Sequence, residues 1–187
     1  IGDRAGIGHS LAALGNVEAF QGNHSAAKRY FEDSLRVRRE IGDKQGVAES
    51  LFDIAQCAMQ MRDVDLAMPK AEESLQIFRE IGDKNGIATV LNGMAFASLL
   101  KDDLEQVRVY LAETEKLAAE TGSSFIQAET DGAYFLLALK EGDIEAFNAY
   151  GSRLMQRAID ARVTPMVSVS IAAVAMAKAA NGESERA

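Results

Sequence analysis

Tryptophan is absent from this chain, proline occurs twice and cysteine once, and each scarcity narrows what the sequence is able to build. With a lone cysteine, Cys57, there is no internal disulfide, and the apolar helical neighbourhood suits Cys57 to the role of a small buried hydrophobe. Two prolines in 187 residues leave long stretches free to be helical. The two histidines, His9 and His24, are separated by a predicted helix, and no Ser-His-Asp grouping, Cys-His grouping or metal-ligand cluster is visible. The expectation is therefore a chain that is not an enzyme and carries no cofactor. No uninterrupted run of about 18 apolar residues occurs, and no basic leader precedes an apolar stretch, so neither a membrane-spanning helix nor a signal peptide is expected. With the single cysteine, this points to the cytoplasm. A net charge of −8 and a pI near 4.9 repel phosphate, so direct nucleic-acid contact by this segment is not expected.

What the chain does contain is a repeat. Ile-Gly-Asp stands at Ile1-Gly2-Asp3, Ile41-Gly42-Asp43 and Ile81-Gly82-Asp83, a period of 40 residues. The stretch from Phe31-Glu32-Asp33-Ser34-Leu35 to Glu40 aligns at the same offset with Ala71-Glu72-Glu73-Ser74-Leu75 to Glu80. Later copies, beginning at Thr121-Gly122-Ser123 and Ala161-Arg162-Val163, keep only the hydrophobic rhythm and the turn positions. A unit of this length holds one helical hairpin that cannot bury its own apolar face, so the copies must stack. The expected fold is all-α: a right-handed superhelical solenoid of antiparallel helix hairpins, about four and a half repeats in one array. The repeats fall at about 1–40, 41–80, 81–120 and 121–160, with a partial unit at 161–187. Because the chain opens on Ile at a loop and ends where a helix should begin, it reads as a piece of a longer protein.

Caps and breakers place the elements. Asp43 and Asp83 are good N-cap residues, and Thr164-Pro165 is a cap followed by proline at the first helical position. Polar or glycine-containing turns at Gly22-Asn23-His24, Arg62-Asp63, Asp102-Asp103, Gly142-Asp143 and Gly182-Glu183 divide each unit. First helices are predicted at 5–21, 45–61, 85–101, 124–141 and 164–180, and second helices at 24–41, 64–81, 103–121 and 143–161. Pro69 should kink or loosen its helix. The packed face recurs as Leu11, Leu14 and Gly15; Leu51, Ile54 and Ala55; Leu91, Met94 and Ala95; and Ile171, Val174 and Ala175. Repeat four departs from it, with Asp131 and Phe135 at packed positions and Gly151 in its second helix, so irregular packing is expected there. The basic stretch Arg36-Val37-Arg38-Arg39 reads as a solvated helix end, where cations complement the helix dipole, with a partner site as the alternative.

Leu11, Leu14-Gly15, Ala27 and Phe31 resemble the tetratricopeptide repeat, and the spacing returns in Leu51, Ile54-Ala55, Ala67 and Ala71, and in Leu91, Met94-Ala95, Val107 and Leu111. The match is degenerate: Leu stands for the usual Trp, and Glu18, Ala58 or Ser98 for the usual Tyr. Arg39, Arg79 or Ala119 takes the place of the late proline. Six extra residues per unit, from Gly42 to Val47 and from Gly82 to Ile87, look like a long-repeat subclass. That subclass is similar to arrays in bacterial signal-transduction ATPases of the maltose-regulator type and in repeat proteins fused to nucleotide cyclases.

The resemblance implies that first helices line a concave face, with inward positions that include Asn16, Glu49, Phe52, Gln56, Met59, Asn92, Phe96, Leu99, Leu136, Leu139 and Met176. Phe52, Met59, Phe96, Leu99, Leu136 and Leu139 would form an exposed apolar patch, interrupted by the amides of Gln56 and Asn92, which can pair with a peptide backbone. The expected partner is a protein or peptide bound by a non-catalytic scaffold. Alternatively, an effector-sensing module binds a small ligand or peptide and controls an attached ATPase, DNA-binding or cyclase domain. A third possibility is that tight curvature closes the groove and makes these side chains core. Uncovered ends would favour self-association.

Overall fold

Aspartates open most of the helices. The computed structural model describes residues 3–160, which form eight helices: α1 (Arg4–Phe20), α2 (His24–Glu40), α3 (Lys44–Gln60), α4 (Val64–Ile81), α5 (Lys84–Leu100), α6 (Leu104–Thr121), α7 (Ser124–Glu141) and α8 (Ile144–Asp160). Asp3, Asp43 and Asp83 accept hydrogen bonds from the backbone N–H groups of Gly6, Gly46 and Gly86 at 2.8, 2.9 and 3.1 Å. Asp63, Asp103, Ser123 and Asp143 cap α4, α6, α7 and α8 in the same way, satisfying amides that have no partner within the helix. The helix expected at 164–180 lies outside the described residues, as do Ile171, Val174, Ala175 and Met176. Pro69 is exposed, and α4 runs unbroken across it, so the proline removes one backbone hydrogen bond without ending the helix.

Consecutive helices pack against one another, and α5 also touches both α3 and α7, which puts α3, α5 and α7 side by side along one face. The described residues thus form an all-helical repeat solenoid. Leu51, Ile54, Ala55, Leu91, Met94 and Ala95 are buried as their periodicity requires. The first repeat shows why neighbours matter: Leu14 is 47% exposed, whereas its equivalents Ile54 and Met94, each covered by the preceding hairpin, are 2% and 3% exposed.

Within each hairpin a small residue on the first helix meets its counterpart sixteen positions later on the second. Repeat one pairs Gly15 with Phe31, repeat two Ala55 with Ala71, and repeat three Ala95 with Leu111. Repeat four inverts the sizes, with Phe135 on the first helix and Gly151 on the second, and both are buried. Phe135 packs against Phe147 with ring centroids 4.3 Å apart, and the charge of buried Asp131 is answered by Arg157 Nε at 2.7 Å. The features expected to disturb repeat four therefore come with compensating partners.

Two further recurrences follow the period. The hydroxyls of buried Ser34 and Ser74 donate to the carbonyls of Gly8 and Ala48 at 2.8 and 2.7 Å, tying α2 to α1 and α4 to α3. Arg4–Glu40, Lys44–Glu80 and Lys84–Glu120 repeat as exposed ion pairs at 2.7, 3.3 and 3.0 Å, each too solvated to contribute much.

Two glycines separate crowded from empty backbone. A Cβ on Gly15 would lie 2.6 Å from the Phe31 ring, whereas one on Gly132, in the middle of α7, would meet nothing within 4 Å. Gly15→Ala is expected to destabilise the protein by about 1–2 kcal/mol, overpacking exceeding the gain in helix propensity. Gly132→Ala should stabilise it by about 0.5–1 kcal/mol. Urea unfolding of the two variants decides: midpoints that move in the same direction contradict this packing.

Candidate functional cavity

Small residues open a space among repeats two to four. A cavity of about 710 Å³ lies between α3, α4, α5, α7 and α8. Its volume comes from side chains that are missing: Ala71 stands where repeats one and three carry Phe31 and Leu111, Gly132 contributes only backbone, and Gly151 replaces a large residue. The walls are apolar, from Phe52, Met59, Met68, Phe96, Leu136 and Leu154. Phe52 lies over α5, where a Cβ on Gly93 would sit 2.7 Å from its ring; only glycine permits that approach. Phe96 and Leu136 remain exposed at the rim.

The expected groove residues divide into three sets. Phe52, Gln56, Met59, Asn92, Phe96 and Leu136 line the cavity. Asn16, Glu49, Leu99 and Leu139 do not. Leu99 is 3% exposed and packs with Ala95, Val107 and Leu137 in the core, because α6 covers it. Glu49 turns towards Arg38, 3.4 Å away. Asn16 belongs to repeat one, outside the cavity, and Leu139 is exposed one turn beyond it. Met176 lies outside the described residues. The exposed apolar patch thus needs correction as well, since Phe52 is only 8% exposed and serves as both floor of the cavity and part of the core around Leu91. Asn92 is buried too, its amide within 3.4 Å of the Thr130 hydroxyl across α5 and α7, so it bridges helices instead of standing free for a backbone.

Polar character in the cavity is sparse. Glu129 is its single charged lining residue among those described, accompanied by the neutral Gln56, Gln60, Thr89 and Asn92. Burial raises the pKa of Glu129, and a hydrogen bond with the Asn92 amide pulls it partly back. Glu129 stands at an inward position of repeat four, and the periodicity that marks the concave face was the signal available for finding it.

Electrostatics is concentrated elsewhere, between α2 and α3. Arg38, expected to be solvated with its basic neighbours, is buried: its guanidinium donates to the Gly46 carbonyl at 2.8 Å and the Ser50 hydroxyl at 2.9 Å. Arg36 and Arg39 do face solvent. Arg38 occupies the position that Phe78 fills one period later, and the neighbouring Gly8 and Gly46 make room for it. Asp53, half-buried on α3, is pushed up to about 7 by burial, an effect the Arg38 charge partly offsets and Glu49 reinforces. Burial and then Asp53 drive the Cys57 thiol to about 11, so it stays protonated and a poor nucleophile near neutrality. Among the described residues no three His, Cys, Asp or Glu side chains are arranged to hold a metal.

No protein-family model matches the chain, and no curated protein does. Solved structures do match. BtubC (BKLC) from P. vanneervenii superposes with a TM-score of 0.71 at 16% identity, over 87% of this chain and 67% of that one. The apo form of RapI superposes with a TM-score of 0.72 at 14% identity, over 86% of this chain and 45% of RapI, so the chain spans less than half of that protein's length. At such identities the likeness defines the fold, a helical repeat solenoid. No helix among the described residues is long and apolar enough to cross a membrane.

Proposed function

We propose that this chain is a non-catalytic module that binds a peptide or protein segment in the cavity between α3, α5 and α7. The single observation that carries the reading is a volume of about 710 Å³, in the range of ligand sites, walled by apolar side chains with exposed Phe96 and Leu136 at its mouth. A packed core would not leave this much space, and apolar walls gain most when a ligand replaces water. The tetratricopeptide-like residues and the long-repeat linkers support a place for the module as the regulatory array of a larger bacterial regulator acting in signal transduction in the cytoplasm. A second reading is an effector sensor controlling an attached ATPase, DNA-binding or cyclase domain. It is favoured by the cavity spanning three repeats, because a ligand there would couple α3, α5 and α7 and shift the solenoid between curvatures it binds differently.

Gly132→Leu tests the site, since its side chain would project into the empty space. Against a library of fluorescent apolar peptides, binding measured by polarisation is expected to fall at least about tenfold in Gly132→Leu and in Phe96→Ala, with helicity by circular dichroism unchanged. Full binding by both folded variants would move the contact surface to the convex face.

A further inference from the structure

Glu129 is the feature of the cavity that packing does not explain. Its Oε2 is cut off from solvent and has no hydrogen-bond partner, while the Asn92 amide serves the same carboxyl group. The lining residues around it include no lysine, arginine or histidine among those described; they are apolar or neutral. Arg153 and Arg157, the basic residues of α8, are engaged with Asp131, and Arg157 also donates to Gln127. An acceptor held in an apolar site without a partner is costly, and the cost is relieved when a donor arrives with the ligand.

We propose that the occupant of the cavity is a peptide segment that presents one lysine or arginine to Glu129, with an apolar neighbour packed against Phe52, Phe96 and Leu136. This rests on the cavity being the peptide site. The long aliphatic stem of a basic residue suits the walls, and its charged end reaches the one group able to answer it. The Phe52 and Phe96 rings add aromatic surface beside the cation. The chain's net charge of −8 works in the same direction, raising the local concentration of cationic segments and repelling acidic ones.

The test uses the full chain and blocked hexapeptides in which a central lysine flanked by leucines is replaced by norleucine, which keeps the stem and deletes the charge, or by glutamate. Titration calorimetry is expected to show the lysine peptide binding at least about tenfold more tightly than the norleucine peptide, and the glutamate peptide not at all. Glu129→Gln, nearly the same in shape, should abolish the preference for lysine while norleucine binding persists, and Gly132→Leu should remove binding of both. Equal affinity for lysine and norleucine peptides overturns the inference and leaves the peptide cavity standing, as does a lysine preference that survives in Glu129→Gln. Peptides that all fail to bind the unmodified chain overturn both. Butylamine competing as well as the lysine peptide would make the occupant a free amine, and a dimer that Gly132→Leu dissociates would make it a second copy of the chain; either overturns the proposal. The norleucine comparison needs no variant to fold.

Discussion

Arg38→Ala should lower the stability of the folded chain by about 3 kcal/mol at neutral pH. The substitution removes two charge-assisted hydrogen bonds, to the Gly46 carbonyl and the Ser50 hydroxyl, each contributing about 1.5–3 kcal/mol where water is excluded. It also leaves a void beside Gly8 and Gly46, whose backbones lie against the arginine stem. The loss is limited because Glu49 and Asp43, at 3.4 and 3.9 Å from the guanidinium, are exposed enough to be rehydrated. Arg38→Lys should recover little, since an ammonium cannot reproduce the planar fork that reaches a carbonyl and a hydroxyl together. Arg39→Ala is the control. Arg39 pairs with Glu73 in solvent, and its removal should change stability by less than about 1 kcal/mol. Urea unfolding followed by circular dichroism measures all three; equal losses for Arg38→Ala and Arg39→Ala would show that the buried guanidinium adds nothing.

Asp53 should give the protein a pH dependence opposite to that of an ordinary salt-bridged carboxylate. In the folded chain its pKa is raised from 3.8 to about 7, chiefly by burial. The folded state therefore holds a proton over a range where the unfolded state has released it. Below about pH 4 both states are protonated and Asp53 imposes no penalty. As pH rises from about 4 to 7 the unfolded state gains the advantage of ionising, and stability falls by about 1.4 kcal/mol per unit, about 4 kcal/mol in all. Above pH 7 the penalty is constant. Asp53→Asn should therefore match the unmodified protein within about 1 kcal/mol near pH 4.5 and exceed it by about 2–4 kcal/mol at pH 8. Unfolding free energies at half-unit steps from pH 4.5 to 8 test this, and parallel curves for the two proteins would refute it. Arg38→Ala should shift the titration of Asp53 further up, since the neighbouring charge that favours its ionised form is gone.

Arg38 reads in the one-dimensional pattern as a solvated helix end, and nothing in that pattern marks Asp53, whereas the helices themselves were legible. Asp43 and Asp83 announce helix starts because an N-cap acts on amides two or three residues away, a distance the chain spells out directly. Leu51, Ile54, Leu91 and Met94 announce a buried face because helical spacing alone puts them on one side. Ser34, Ser74 and Thr114 recur at the 40-residue period, and all three are buried, but a hydroxyl gives no sign of that until its acceptor is in place. The inversion of Gly15 and Phe31 into Phe135 and Gly151 was visible as a deviation. Its meaning required seeing that both residues are buried and that Phe147 closes on the misplaced ring.

The sequence by itself determined the period, the helix starts and the stacking of hairpins, because caps, turns and amphipathic faces operate within a few residues or between neighbouring units. The tertiary structure alone decided which inward positions meet. Gln56, Phe96 and Leu136 stand one period apart and all face the cavity, whereas of Met59, Leu99 and Leu139, equally spaced, only Met59 does. That outcome depends on how several repeats rotate relative to one another and on the volumes absent at Ala71, Gly132 and Gly151. It is also why a carboxylate as ordinary in sequence as Glu129 ends without a partner for one of its oxygens: among the described residues, elements far apart in the chain bring no lysine, arginine or histidine to the lining of its cavity.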